Sequence, residues 1–447
     1  MAPLPPAHAS SAASARHRRP RAARRVGLLV VALAASGLVA CSSDDGTEAG
    51  TSASTTAAAP PPTTAIGTAD TTVSPVSPVT PETPVTPETT DGIAVTPSTA
   101  LDDTGETDDA AAIEATRAVF AAVGADDPGC TVAVGRDGEV VYAEAFGAAH
   151  LDPTEPMTTE TIVDIGSTSK QFTATAILLL AEDGLVDLDD PLSTYLSDLP
   201  EWADTTTLRQ LVHHTAGVPD YIELLVDRGF ELTGTSTDAD ALAALAEVTE
   251  LDFEPGTAWS YSNSNYFLMG QVVLAVTGST LGEFLADEVF EPLDLAMVMD
   301  PVASLPGKAT SYEGTGDDRT VADSRWEQLG DGGIQTTPTE LVRWASEYWR
   351  PTIGGDRMLA ARLDGAEALG DPSDPTAVYG AGIMSSEIPG IGTVLSHSGG
   401  WGGFVTFFAV VPDQQVAAAS TCTSPDTLAL VDAESDADLL TPWLADA

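Results

Sequence analysis

Apolar positions fall into three regimes along the chain. One short apolar run, 26–39, sits behind a basic stretch. From Ser42 to about Asp108 the chain is mainly Thr, Ser, Pro, Ala, Asp and Glu, with no Lys, Arg or aromatic residue. From Asp109 onward, helical and strand periods alternate. Apolar residues at helical spacing predict a helix over 109–123, stopped by Gly124. Strands over 131–136 and 139–146 flank Asp137-Gly138, a two-residue hairpin signal. The run 172–180, closed by Gly184, predicts a buried helix. Thr337-Pro338-Thr339-Glu340 is a helix start, with Thr as cap, Pro at the first position and Glu at the third. Strands return over 394–397, 404–411 and 416–421. Strands at both ends with helices between them predict one mixed α/β domain over 109–447. Its antiparallel sheet is closed by the two termini, flanked by helices and interrupted by a helical insert.

Composition sharpens the two N-terminal regimes. Residues 1–40 hold six Arg and no Asp or Glu, and the apolar run is too short to span a bilayer comfortably. That layout reads as a signal peptide. Leu38-Val39-Ala40-Cys41 resembles the lipobox of bacterial lipoproteins, which implies lipidation of Cys41, export and anchoring on the outer face of the cytoplasmic membrane. The segment 41–108 cannot bury enough apolar surface to offset its chain entropy, so it is expected to be a disordered tether.

Charge excludes one class of partner. Without those six Arg, 12 of the 18 basic residues remain against 67 acidic ones. Such a surface repels nucleic acid and anionic headgroups, so no nucleic acid is expected as a partner. Only two lysines occur, Lys170 and Lys308.

Lys170 lies three residues after Ser167. On a helix these positions share a face, so the hydroxyl and amine can meet. A serine hydroxyl is a weak nucleophile until a neighbour takes its proton, and a desolvated lysine can do so. Tyr261-Ser262-Asn263 falls in a stretch that reads as a loop after Pro255-Gly256. A tyrosine phenol near two cations can ionise and act as a base, and an asparagine amide can bind a substrate carbonyl. His397-Ser398-Gly399-Gly400 is expected to end a strand, where its glycines would let a substrate backbone approach the edge. His213-His214 has too few other ligands nearby for a metal site, so no metal and no cofactor is expected. Cys130 and Cys422 lie near strands of opposite chain ends, and sequence leaves open whether they are bridged.

These three motifs, in order and at these separations, resemble the serine β-lactamase and penicillin-binding protein superfamily. The likeness is greatest to its class C β-lactamase, D-alanyl-D-alanine carboxypeptidase and esterase branch. It covers about 110–425 and includes the stretch 207–221, Glu291-Pro292-Leu293, Gly330-Asp331-Gly332-Gly333-Ile334 and Tyr379-Gly380-Ala381-Gly382. The resemblance implies a serine hydrolase working through an acyl-enzyme on an amide, lactam or ester. Ser167 would be the nucleophile, Lys170 its proton acceptor and Tyr261 the proton relay. Asn263, His397 and Gly399 would contact substrate, and the N–H groups of Ser167 and Gly400 would form the oxyanion hole. His397 stands where many relatives carry lysine, and a neutral imidazole offers less to a substrate carboxylate. That favours a peptidase or esterase on a small-molecule or peptide substrate, with cell-wall peptide and β-lactams as candidates. The alternatives are a penicillin-sensing module that acylates without efficient turnover and a true class C-type β-lactamase.

Overall fold

The computed structural model describes residues 106–371, 374–429 and 436–444. The expected leader, the lipidation candidate Cys41 and nearly all of the expected tether lie outside these residues. Helix α1, Glu106–Val119, starts three residues before the expected position and stops four before it. The early stop has a local cause. Phe120 stacks on Phe146 at 4.9 Å between ring centroids, and the Asp127 carboxylate accepts the Gly124 N–H at 2.9 Å.

Strands β1, Cys130–Arg136, and β2, Glu139–Phe146, form the expected hairpin. Asp137 and Gly138 both take left-handed φ, 58° and 87°, the pairing a type I′ turn requires. Helix α2 spans Lys170–Glu182, helix α3 Asn263–Thr277 and helix α4 Pro338–Trp344. Strands β3, Met384–Ile388, β4, Gly392–Trp401, β5, Phe404–Val411, and β6, Val416–Cys422, complete the C-terminal half of the sheet. From the edge inward, two short strands, Glu367–Ala368 and Val378–Tyr379, precede β3-β4-β5-β6-β1-β2, and every pairing is antiparallel. The termini therefore meet at β6-β1. There Cys130 stands opposite Cys422, and the two form a disulfide.

Period-2 alternation sends β1, β5 and β6 side chains to two different cores. Val132, Val134, Val411 and Ala418 face α1 and the C-terminal turns around Trp443. Ala133, Phe408, Val410 and Ala419 face α2, α4 and the insert. The insert is helical, with Leu208–Val212, Tyr221–Asp227, Asp238–Ala246 and α3 as its main pieces. A few two-residue strands such as Thr235–Ser236 stitch its loops.

Two local expectations change. Thr337 is the N-cap of α4 and Pro338 its first residue, but the capping hydrogen bond is not made. The Thr337 hydroxyl pairs with Thr339 at 2.6 Å, and Glu340 instead accepts the Ala296 N–H at 3.0 Å. Strand β4 also runs through His397 to Trp401 rather than ending there, because Gly399 and Gly400 still pair with Thr406 and Val405.

Candidate active site

Ser167 sits in a 3-10 turn, Gly166–Ser169, that leads straight into α2. Between Val163 and Leu178 it is the one residue that is not buried. Gly166 holds φ 52°, and its N–H is anchored on the buried Asp164 carboxylate at 2.8 Å. Burial pushes that carboxyl up to about 6, with Lys308 and the Gly166 N–H pulling it back down. A Cβ on Gly166 would lie 2.6 Å from the Gly400 nitrogen, so turn and strand touch backbone to backbone.

Gly399 explains the same contact from the other side. A Cβ there would sit 2.0 Å from the Ile165 carbonyl oxygen. Its missing side chain therefore makes room for the nucleophile turn, not for an approaching substrate. Gly400 is exposed, and a Cβ on it would meet nothing nearer than the Phe404 oxygen at 3.8 Å.

Lys170 is completely buried. Its Nζ lies 3.0 Å from Ser167 Oγ, 2.9 Å from Asn263 Oδ1 and 2.6 Å from the Asp331 carbonyl oxygen. Two of these three partners are carbonyls that can only accept. An ammonium would donate to all three. A neutral amine donates to the two carbonyls and keeps its lone pair for the Ser167 hydroxyl proton. Burial drives the lysine toward that neutral form, lowering its pKa to about 8 against the opposing pull of Asp331 and Asp220.

Tyr261 packs over Lys170, with Nζ 4.8 Å from its ring centroid. Burial raises its phenol well above the ordinary value, with the neighbouring Ser167 hydroxyl pulling the other way. The expectation of a phenolate held by two cations is therefore corrected: among the described residues Lys170 is the one cation over its ring, and burial favours the neutral hydroxyl. His214 stacks on this ring at 4.4 Å, and its Nδ1 accepts the Ser262 N–H at 3.2 Å, fixing the residue after Tyr261. This places His214 behind the site.

The segment that reads as a loop in sequence changes state at Asn263. Ser262 is the N-cap and Asn263 the first residue of α3, a largely buried helix whose polar opening hides its apolar body. Asn263 turns its carbonyl to Lys170, and its Nδ2 donates to Asp220 at 2.8 Å.

His397 is 3% exposed. Its Nε2 lies 3.0 Å from the Tyr379 hydroxyl and its Nδ1 2.6 Å from the Ser398 carbonyl. The carbonyl must receive a proton, so Nδ1 carries the hydrogen and Nε2 accepts from Tyr379. Burial, then Lys170, hold the imidazole neutral, down to about 3. It lies beside Tyr261 at 6.4 Å between centroids. The structure thus gathers Ser167, Lys170, Tyr261, Asn263, His397 and the Gly399-Gly400 strand into one cluster.

Three contributors escape a reading of motifs. Asp220, Asp331 and Tyr379 act through partners 43, 161 and 18 residues away. Each falls within a stretch that carries the family resemblance, and that was the only signal available. Among the described residues no group of His, Cys, Asp or Glu has metal-site geometry.

An antiparallel sheet backed by helices, with a Ser–x–x–Lys turn packed against an inner strand, defines a transpeptidase-like α/β domain. A family model described as Beta-lactamase matches residues 116–441, and the chain belongs to that family. It is 33% identical over 281 residues to a D-aminopeptidase of Brucella anthropi, covering 61% of this chain and 52% of that protein. A D-aminopeptidase of Brucella ovis matches at 31% over 280 residues, with the same 61% and 52% shares. The chain thus spans about half the length of the curated relatives it matches. Among solved structures, a D-stereospecific amidohydrolase from Streptomyces sp. aligns with TM-score 0.60 at 23% identity, over 74% of this chain and 97% of that one. D-amino acid amidase from Ochrobactrum anthropi SV3 aligns with TM-score 0.62 at 22% identity, over 74% and 98%. These two show a shared fold.

Proposed function

We propose that this chain is a serine hydrolase that cleaves amides through an acyl-enzyme on Ser167. We further propose a preference for substrates lacking a carboxylate beside the scissile bond, such as D-amino acid amides. The observation that carries the reading is the acceptor set around Lys170, which suits a neutral amine aimed at the Ser167 proton.

In this mechanism Ser167 Oγ bonds to the substrate carbonyl carbon while its proton passes to Lys170 Nζ. The carbonyl oxygen becomes an oxyanion between the N–H groups of Ser167 and Gly400, and losing one such donor typically costs about 2.7–4 kcal/mol. The C–N bond breaks as the leaving nitrogen takes a proton from Lys170 by way of the Tyr261 hydroxyl. Water then attacks the ester, its proton returns along the same route, and Ser167 regains its hydrogen as the acid departs. Asn263 orients Lys170.

The substrate preference rests on His397. A neutral imidazole with both nitrogens engaged offers no charge to a penicillin or a D-Ala-D-Ala terminus. The names of the relatives, aminopeptidase and amidase, agree with that reading. Export with a lipid anchor on Cys41 is proposed from the leader pattern, and the Cys130–Cys422 disulfide supports an oxidising compartment. Palmitate incorporation that survives Cys41→Ser would refute the anchor.

One side-by-side assay tests the function: D-phenylalanine amide, a p-nitrophenyl ester, nitrocefin and a D-Ala-D-Ala peptide. Amide and ester turnover should exceed the other two and vanish in Ser167→Ala, a loss of roughly 10⁶-fold by analogy with other serine nucleophiles. Turnover persisting in Ser167→Ala would sink the proposal.

A further inference from the structure

Lys170 can serve as a base only if its two carbonyl acceptors stay where they are. The Asp331 carbonyl is backbone, but the Asn263 carbonyl belongs to a side-chain amide that can rotate by half a turn. Rotation would present Nδ2–H groups to Lys170 in place of an acceptor. In the structure Asp220 forbids it. Asp220 Oδ2 accepts both the Asn263 backbone N–H and the Asn263 Nδ2–H, each at 2.8 Å. The other oxygen, Oδ1, accepts the Ile222 N–H at 2.9 Å and caps the helix Tyr221–Asp227. One carboxylate therefore ties the start of that helix to the start of α3. The next residue steadies the second acceptor: the Tyr221 hydroxyl donates to Asp331 Oδ2 at 3.1 Å, and the Tyr221 N–H donates to Ser264 Oγ at 2.7 Å.

We infer that Asp220 is a positioning residue of the reaction. By accepting both N–H groups of Asn263 it points that residue's carbonyl at Lys170 and so keeps the amine's lone pair on Ser167. The inference rests on the proposed acyl-enzyme chemistry and adds to it the residue that orders the base. Asp220 need not touch substrate, because its positioning action passes through Asn263. Its charge has a second, separable consequence. It is one of two carboxylates opposing the loss of the Lys170 proton, the other being Asp331, while His214, His397, Tyr261 and Tyr266 face the amine as groups that burial keeps neutral.

Asp220→Ser tests this, since a serine N-cap can still accept the Ile222 N–H yet is too short to hold Asn263. The readout is the rate at which a fluorophosphonate labels Ser167, measured across pH. Labelling should slow by about 10²-fold, the scale of a misaligned catalytic group. The pH midpoint should move below that of the wild type, because removing a nearby negative charge makes the lysine easier to deprotonate. Asp220→Asn should slow labelling likewise, since one of its two faces becomes a donor. The decisive arm combines Asp220→Ser with Asn263→Ala. If Asp220 positions the base through Asn263, then at a pH above both midpoints the double variant labels about as fast as Asn263→Ala alone. If the two losses multiply and the midpoint stays put, Asp220 is only a helix cap and the inference is overturned. A wild-type chain that takes no label at Ser167 overturns the underlying chemistry as well, which keeps the two failures distinct.

Discussion

Two buried cations flank helix α2, and they differ in what each can do. Lys170 opens the helix beside Ser167, while Arg362 packs against it near Thr175, 1% exposed. Arg362 donates to Thr175 Oγ1 at 3.0 Å and sits between the rings of Trp344 and Tyr348, at 5.1 and 4.8 Å from their centroids. One residue after Lys170, Gln171 Oε1 accepts from Trp344 Nε1 at 2.5 Å and from the Tyr348 hydroxyl at 2.8 Å, pinning both rings. Burial lowers the pKa of both cations. A guanidinium starts so high that it keeps its charge, whereas an ammonium brought to about 8 gives up its proton within a unit or so of neutral pH. The same desolvation therefore yields an anchor near Thr175 and a base beside Ser167.

The comparison breaks most sharply at Lys170. Lys170→Arg keeps charge and bulk but cannot accept a proton, so amide turnover should fall by about 10⁴-fold with the fold retained by circular dichroism. Near-normal turnover would mean the amine is not the base. Asn263→Ala removes one of its two carbonyl acceptors and should cost about 10²-fold in the acylation rate, read by stopped-flow labelling.

Acylation by the wild type should rise with pH through a midpoint near 8, since the reactive form is the deprotonated amine and the folded value is about 8. A flat profile from pH 6 to 10 would contradict that sign. Arg362→Ala reverses the pattern. It should lower the unfolding free energy by about 3 kcal/mol, measured by urea denaturation, while leaving kcat/KM of the folded protein within a few-fold of wild type. The smallest effect is expected for Tyr379→Phe, which removes the donor to His397 Nε2 and should cost about 1 kcal/mol in the same denaturation.

These two parts of one helix also mark what could be read from the chain. The hairpin at Asp137-Gly138 and the run that becomes α2 were legible because turn chemistry and apolar period act locally. Ser167 and Lys170 were legible because three residues of spacing suffice to bring them together. Helix α3 was not, since Asn263-Ser264-Asn265 reads as a polar loop until the buried body that follows is weighed against the insert. Strand β4 was cut short for a similar reason. Glycines weaken an isolated strand, yet here Gly399 is required by the turn at Ile165 packed against it. The roles of Asp220, Asp331 and Tyr379 exist only once distant segments meet, so no local pattern announces them.

The central claim is that Ser167 is acylated with neutral Lys170 as its proton acceptor. Peptide-level mass spectrometry of the chain after brief exposure to a fluorophosphonate, repeated across pH, tests it most directly. One adduct on the peptide holding Ser167, accumulating with a midpoint near pH 8, is the result predicted here. An adduct on another residue, or labelling at Ser167 that Lys170→Arg leaves undiminished, would contradict it.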